Sequence, residues 1–114
     1  MPYINISTSQ KLSDGQKEKI KSELGRLITI IPTKAEAYLM VDFSDNRTFY
    51  KAGQKVEGAF IDLRLFRKSE FEPKKKFTEE TLAMLSGELG IKKENFNFTI
   101  MEFDNWGSNG TLNS

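Results

Sequence analysis

The chain contains no cysteine and no histidine. Without cysteine there is no disulfide, no thiol redox chemistry and no cysteine nucleophile. Without histidine there is no serine–histidine–aspartate triad, none of the usual zinc ligand sets, and no side chain that ordinarily titrates near neutrality. An enzyme made from these residues must draw its general base from Asp, Glu, Lys, Tyr or an N-terminal amine. Only the amine has an ordinary pKa of about 7.7–8. A dominant charge is missing too: 17 Lys and Arg face 16 Asp and Glu, a net charge of +1. No strong field points to nucleic acid or to an anionic membrane. The run PKKK at 73–76 lacks interleaved aromatics and reads as a solvated helix start. Long apolar runs are also lacking, so no window approaches a membrane span, and no basic-then-apolar leader is visible. Cytoplasmic synthesis is expected, with secretion without a signal peptide left open.

What remains is an ordinary globular composition, with 114 residues, 38% hydrophobic and 29% charged. That is enough for one domain, 1–114, with a real core. The pattern along the chain comes twice. YINIS at 3–7 alternates as a strand, with Ile4 and Ile6 on one face. SDGQ at 13–16 offers a capping box through Ser13 and Gln16. Ile20, Leu24, Leu27, Ile28 and Ile31 then form one helical stripe, which Pro32 stops. AYLMVDF at 37–43 is a second strand, with Leu39, Val41 and Phe43 together. A loop or hairpin follows at 45–54, with a short strand near Thr48–Tyr50. AFIDLRLF at 59–66 restarts the pattern, with Ile61, Leu63 and Leu65 on one face. Pro73 suits a first helical turn, and Phe77, Leu82, Met84, Leu85 and Leu89 supply a second helix. NFNFTIMEF at 95–103 closes it with Phe96, Phe98 and Ile100.

The predicted fold is therefore α+β. Two pseudo-symmetric βαβ units form one four-stranded mixed sheet, with parallel strands within each unit and both helices on one face. The other face mixes Tyr38, Met40, Phe60, Phe66 and Met101 with Asp62, Arg64, Asn97 and Thr99. It is too apolar to face water alone, and packing against other copies of the chain is expected.

Several fragments, in order and at matching spacing, carry a resemblance across nearly the whole chain. They are MPYINIS at the start, SELG at 22–25, IPTKAEAYLMV at 31–41, LFRK at 65–68 and DNWGSNG at 104–110. Together they resemble the macrophage migration inhibitory factor family of the tautomerase superfamily. The resemblance implies a cofactor-free, metal-free keto–enol tautomerase of the phenylpyruvate type, acting on an enolisable keto acid. Its catalytic base would be the amine of Pro2, freed when Met1 is removed; a chain that keeps Met1 would be inactive. Lys34 would be the pocket cation, and Phe66 the residue whose backbone meets substrate. Asn97 and Thr99 would come from a neighbouring subunit of a homotrimer, with Tyr3 and Trp106 as hydrophobic walls. The resemblance equally allows a cytokine-like protein that binds a cell-surface receptor with weak or no catalysis. Familiar animal members have a tyrosine at Asn97, an asparagine at Thr99, a tail tryptophan at Ser108, and a cysteine pair within the stretch AFID at 59–62. These departures imply a shifted substrate preference and no thiol oxidoreductase activity.

The chemistry behind that expectation is general. Enolisation moves a proton from a carbon beside a carbonyl to the carbonyl oxygen, so it needs a neutral base and a donor or cation facing the oxygen. Burial and a neighbouring cation both drive an amine towards its neutral form.

Overall fold

A computed structural model describes residues 1–114. Its first strand, β1 (Pro2–Thr8), alternates buried and half-buried side chains from end to end and sends Ile4 and Ile6 into the core. The capping box forms at the start of α1 (Asp14–Leu27). Gln16 N–H donates to Ser13 Oγ at 3.1 Å, and Ser13 N–H donates to Gln16 Oε1 at 3.0 Å. Such a cap contributes about 1 kcal/mol. The helix tightens into a 3₁₀ turn at Ile28–Ile30, and the whole stripe from Ile20 to Ile31 is buried.

The next strand begins later than its composition implies. Glu36–Tyr38 is a 3₁₀ turn, and β2 spans Met40–Ser44. The turn is pressed against α1, and a methyl group at Gly25 would collide with the Glu36 side chain. Tyr38 is thereby lifted out of the sheet. Leu39, Val41 and Phe43 still pack against the core as expected. The hairpin is β3 (Phe49–Lys51) and β4 (Gln54–Val56). The second unit follows as β5 (Ala59–Phe66), α2 (Phe71–Leu89) and β6 (Phe96–Phe103). The tail folds into a small hairpin of β7 (Trp106–Ser108) and β8 (Thr111–Asn113), which the sequence pattern did not announce.

The sheet order is β2-β1-β5-β6. Pairing is parallel within each unit and antiparallel between β1 and β5, which join the units. Both helices pack on the face that buries Ile4, Ile6, Ile61, Leu63 and Leu65, together with Phe77 and Leu85 of α2. The other face lies open in the single chain, with Met40 66% and Met101 42% exposed. The antiparallel β1–β5 join has one consequence for function. It brings the start of β1 to the end of β5, with Pro2 opposite Leu65.

Candidate active site

Pro2 is buried at the head of β1. Two cavities open beside it, and Met1 and Tyr38 line both. One, of about 490 Å³, is lined by Lys34, Phe66, Arg67 and Lys68. The other, of about 700 Å³, is lined by Pro2, Tyr3, Met40, Arg64, Trp106 and Ser108. Met1 stands between them, and its Sδ accepts a hydrogen bond from Ser108 Oγ at 2.8 Å.

A tight turn presents Lys34. Lys34 N–H donates to Ile31 O at 3.1 Å, with Pro32 and Thr33 between. Proline followed by a residue with positive φ is the pattern of a type II turn, where glycine is usual. Thr33 holds φ +71° instead, which is strained backbone for a β-branched residue. Lys34 Nζ donates to Phe66 O at 3.0 Å. Burial makes this lysine less basic than its ordinary 10.5; the charge of Arg67 works in the same direction, and Glu102 opposes it. The Met1 amine is likewise held below its ordinary 8.0, first by burial and then by Lys34.

The far wall is the chain leaving β5. Arg67 also has φ +71°, and its N–H donates to Phe103 O at 2.7 Å. Its guanidinium lies 5.0 Å from the centre of the Phe66 ring. Phe66, Phe103 and Trp106 form one aromatic cluster, with Trp106 6.5 Å from Phe66 and 6.1 Å from Phe103. Glu102 anchors the loop into α2, accepting from Ser69 N–H at 2.6 Å and Lys74 Nζ at 3.0 Å. Burial alone would raise its pKa, but these two donors hold its carboxyl below the ordinary range.

Tyr3 presents its ring to the larger cavity while its hydroxyl donates to Asp42 at 2.7 Å. That bond pushes the phenol above its ordinary pKa, so Tyr3 is poorly placed as an acid–base group. The nearby Arg64 is paired with Asp62 at 3.3 Å.

The chain thus brings together Pro2, Tyr3, Lys34, Phe66 and Trp106. It does not bring Asn97 and Thr99 to them. Both are exposed on the open face, opposite Phe60 and Asp62. At strand rise they lie roughly 17 and 10 Å along β5 from the partner of Pro2. Tyr38, Arg67, Lys68 and Ser108 line the cavities without having been singled out as candidate site residues. The LFRK motif contained two of them, but a pair of charges leaving a strand ordinarily means solvent. No group of three or more acidic, histidine or cysteine side chains converges to hold a metal ion, and no helix is long and apolar enough to cross a membrane.

Comparison with known proteins places the fold. Leishmania major MIF2 superposes with a TM-score of 0.91 at 22% identity, over 98% of this chain and 97% of that one. The macrophage migration inhibitory factor-like protein of Entamoeba histolytica does so with 0.84 at 19%, over 97% of each. Pt0534, solved after inactivation by 2-oxo-3-pentynoate, gives 0.83 at 17%, over 95% of this chain and 93% of that one. No family model and no curated protein matches the sequence. The chain has the fold of the macrophage migration inhibitory factor-like proteins, as the resemblance implied.

Proposed function

We propose that the chain is a cofactor-free keto–enol tautomerase whose general base is the amine of Pro2, exposed when Met1 is removed. The observation that carries this reading is the setting of the chain head: Pro2 is buried, and burial together with the charge of Lys34 already makes the adjoining Met1 amine less basic. After processing, the free amine moves one residue deeper. Both burial and the lysine then favour its neutral form. The proline ring fixes the direction of the lone pair. The amine removes a proton from the carbon beside the substrate carbonyl, the enolate oxygen takes a proton from water, and the protonated amine gives its own back to solvent; the reverse direction runs the same transfers backwards. Lys34 keeps N–H groups beyond the one it gives Phe66 O, and these face the substrate carboxylate. Met1, when retained, turns the Pro2 nitrogen into a non-basic amide and fills the space between the cavities.

In this reading the open sheet faces pack into a homotrimer. Packing would cover Met40 and Met101 and bring a neighbour's Asn97 and Thr99 to the cavity. The test combines intact mass, to establish removal of Met1, with tautomerisation of a panel of 2-keto acids that includes phenylpyruvate. Pro2→Gly should lose about 10²–10⁴-fold in kcat/KM. Unchanged turnover in that variant refutes the mechanism. A processed protein that turns over none of the panel yet binds a cell-surface receptor would assign the fold to signalling instead.

A further inference from the structure

The smaller cavity carries more positive charge than one carboxylate requires. Lys34, Arg67 and Lys68 line it, against a single acidic lining residue, Glu70. Six ion pairs within 4.0 Å occur in the chain, and none includes any of these three cations. The neighbouring carboxylate, Glu102, is already engaged by Lys74 and Ser69 N–H. Arg67 rests on the Phe66 ring and donates to the terminal oxygen of Ser114 at the exposed tail, a contact that a ligand carboxylate can replace.

The backbone is strained at the same place. Among non-glycine residues with positive φ, Asn46 and Ala52 lie in loops elsewhere and Asn109 lines the larger cavity, whereas Thr33 and Arg67 line this one. Thr33 immediately precedes Lys34, and Arg67 immediately follows the Phe66 carbonyl that Lys34 grips. Strain of this kind persists where the surrounding structure insists on it, and it gathers at ligand clamps. Like charges gathered at one cavity, none paired with an acidic side chain and flanked by strained backbone, are relieved by an anion bearing more than one charge.

We infer that the site takes a substrate with two anionic groups, an enolisable 2-keto diacid. One carboxylate meets Lys34, and the second sits at the rim between Arg67 and Lys68. The position of the reacting carbon rests on the tautomerase reading; recognition of the two charges does not need the Pro2 amine. A five-carbon diacid is well within a cavity of about 490 Å³.

Isothermal titration of the processed protein with 2-oxoglutarate and with 2-oxopentanoate tests this, because the two share a backbone and differ by the second carboxylate. The diacid should bind at least about tenfold tighter, as one charge-assisted contact supplies. Lys68→Gln and Arg67→Asn should each bring the ratio close to one; asparagine tolerates the left-handed backbone, so the second variant keeps the turn. Raising the salt should erode the preference in the parent protein. Equal binding of the two acids, binding of neither, or a ratio that survives both variants overturns the inference. Pro2→Gly separates the two readings. If it keeps the diacid preference and loses turnover, both stand. If it keeps turnover, the base assignment falls while the diacid site remains.

Discussion

The two ends of the sheet are built from the same supersecondary unit and finished differently. At one end, β1 finishes where β5 begins, and the joins are sewn shut. Ser9 N–H donates to Gly58 O at 3.0 Å, and Gly58 N–H returns a bond to Ser9 Oγ at 3.0 Å. Gln10 Nε2 donates to Leu89 O at 2.6 Å, and Leu12 N–H to Asp45 Oδ2 at 2.8 Å. There α2 ends on Gly90 at φ +65°, a relaxed left-handed cap. At the other end, β1 begins where β5 finishes. The corresponding helix exit passes through Thr33, a residue unsuited to its own φ, and the space is left as two cavities, the smaller lined by Lys34, Arg67 and Lys68, none of them paired with an acidic side chain. One end spends its polar groups on each other, which stabilises the fold. The other holds them apart, which costs stability and leaves them free for a ligand.

Exchanging the character of the two ends is the sharpest way to break this comparison. At the open end, Lys34→Met should lower kcat/KM by about 100-fold, as loss of a charge-stabilising donor does. Its effect on stability should depend on pH with a definite sign. Burial makes Lys34 less basic in the folded chain than in the unfolded one. Its protonated form therefore favours unfolding. That penalty is complete below the folded pKa and fades as pH rises towards 10.5. Denaturant titrations at neutral and alkaline pH should show the parent gaining stability relative to Lys34→Met as pH increases.

At the closed end the balance should reverse. Gln10→Ala leaves Leu89 O without its donor and should cost about 1 kcal/mol in chemical denaturation while kcat/KM stays at the parent value. The smallest effect should come from Thr33→Gly, which relieves strained backbone and should raise stability by about 0.5 kcal/mol, after the extra freedom that glycine brings to the unfolded chain. A loss of stability there would show that Thr33 makes compensating contacts and that the open end is not under strain.

Much of this architecture was legible from period alone. Ile4 and Ile6, Ile61, Leu63 and Leu65, and the stripe from Ile20 to Ile31 point one way because one face of each element meets the core. The capping box at Ser13 and Gln16 is local chemistry, and it forms as written. The start of β2 was misread because Ala37, Tyr38 and Leu39 alternate suitably for a strand, whereas the contact of Glu36 over Gly25 that bends them into a turn joins residues on different elements. The tail hairpin escaped for a similar reason. Trp106–Ser108 and Thr111–Asn113 are too short to show a period. At the site, Pro2 and Lys34 stood out through the resemblance and the lack of any rival base. Arg67 and Lys68 looked like solvated charges, and what sets them apart is the left-handed φ of Arg67 and the lack of an acidic side chain paired with either, neither of which is written in the local sequence.

The account's central claim concerns one nitrogen, so the most direct measurement is its titration. In the chain lacking Met1, the pKa of the Pro2 nitrogen can be followed by isotope-edited NMR across neutral pH. The account predicts a value below the ordinary range of about 7.7–8 for an α-amine, rising when Lys34 is replaced by Met. A value at or above that range, unchanged by Lys34→Met, would contradict it.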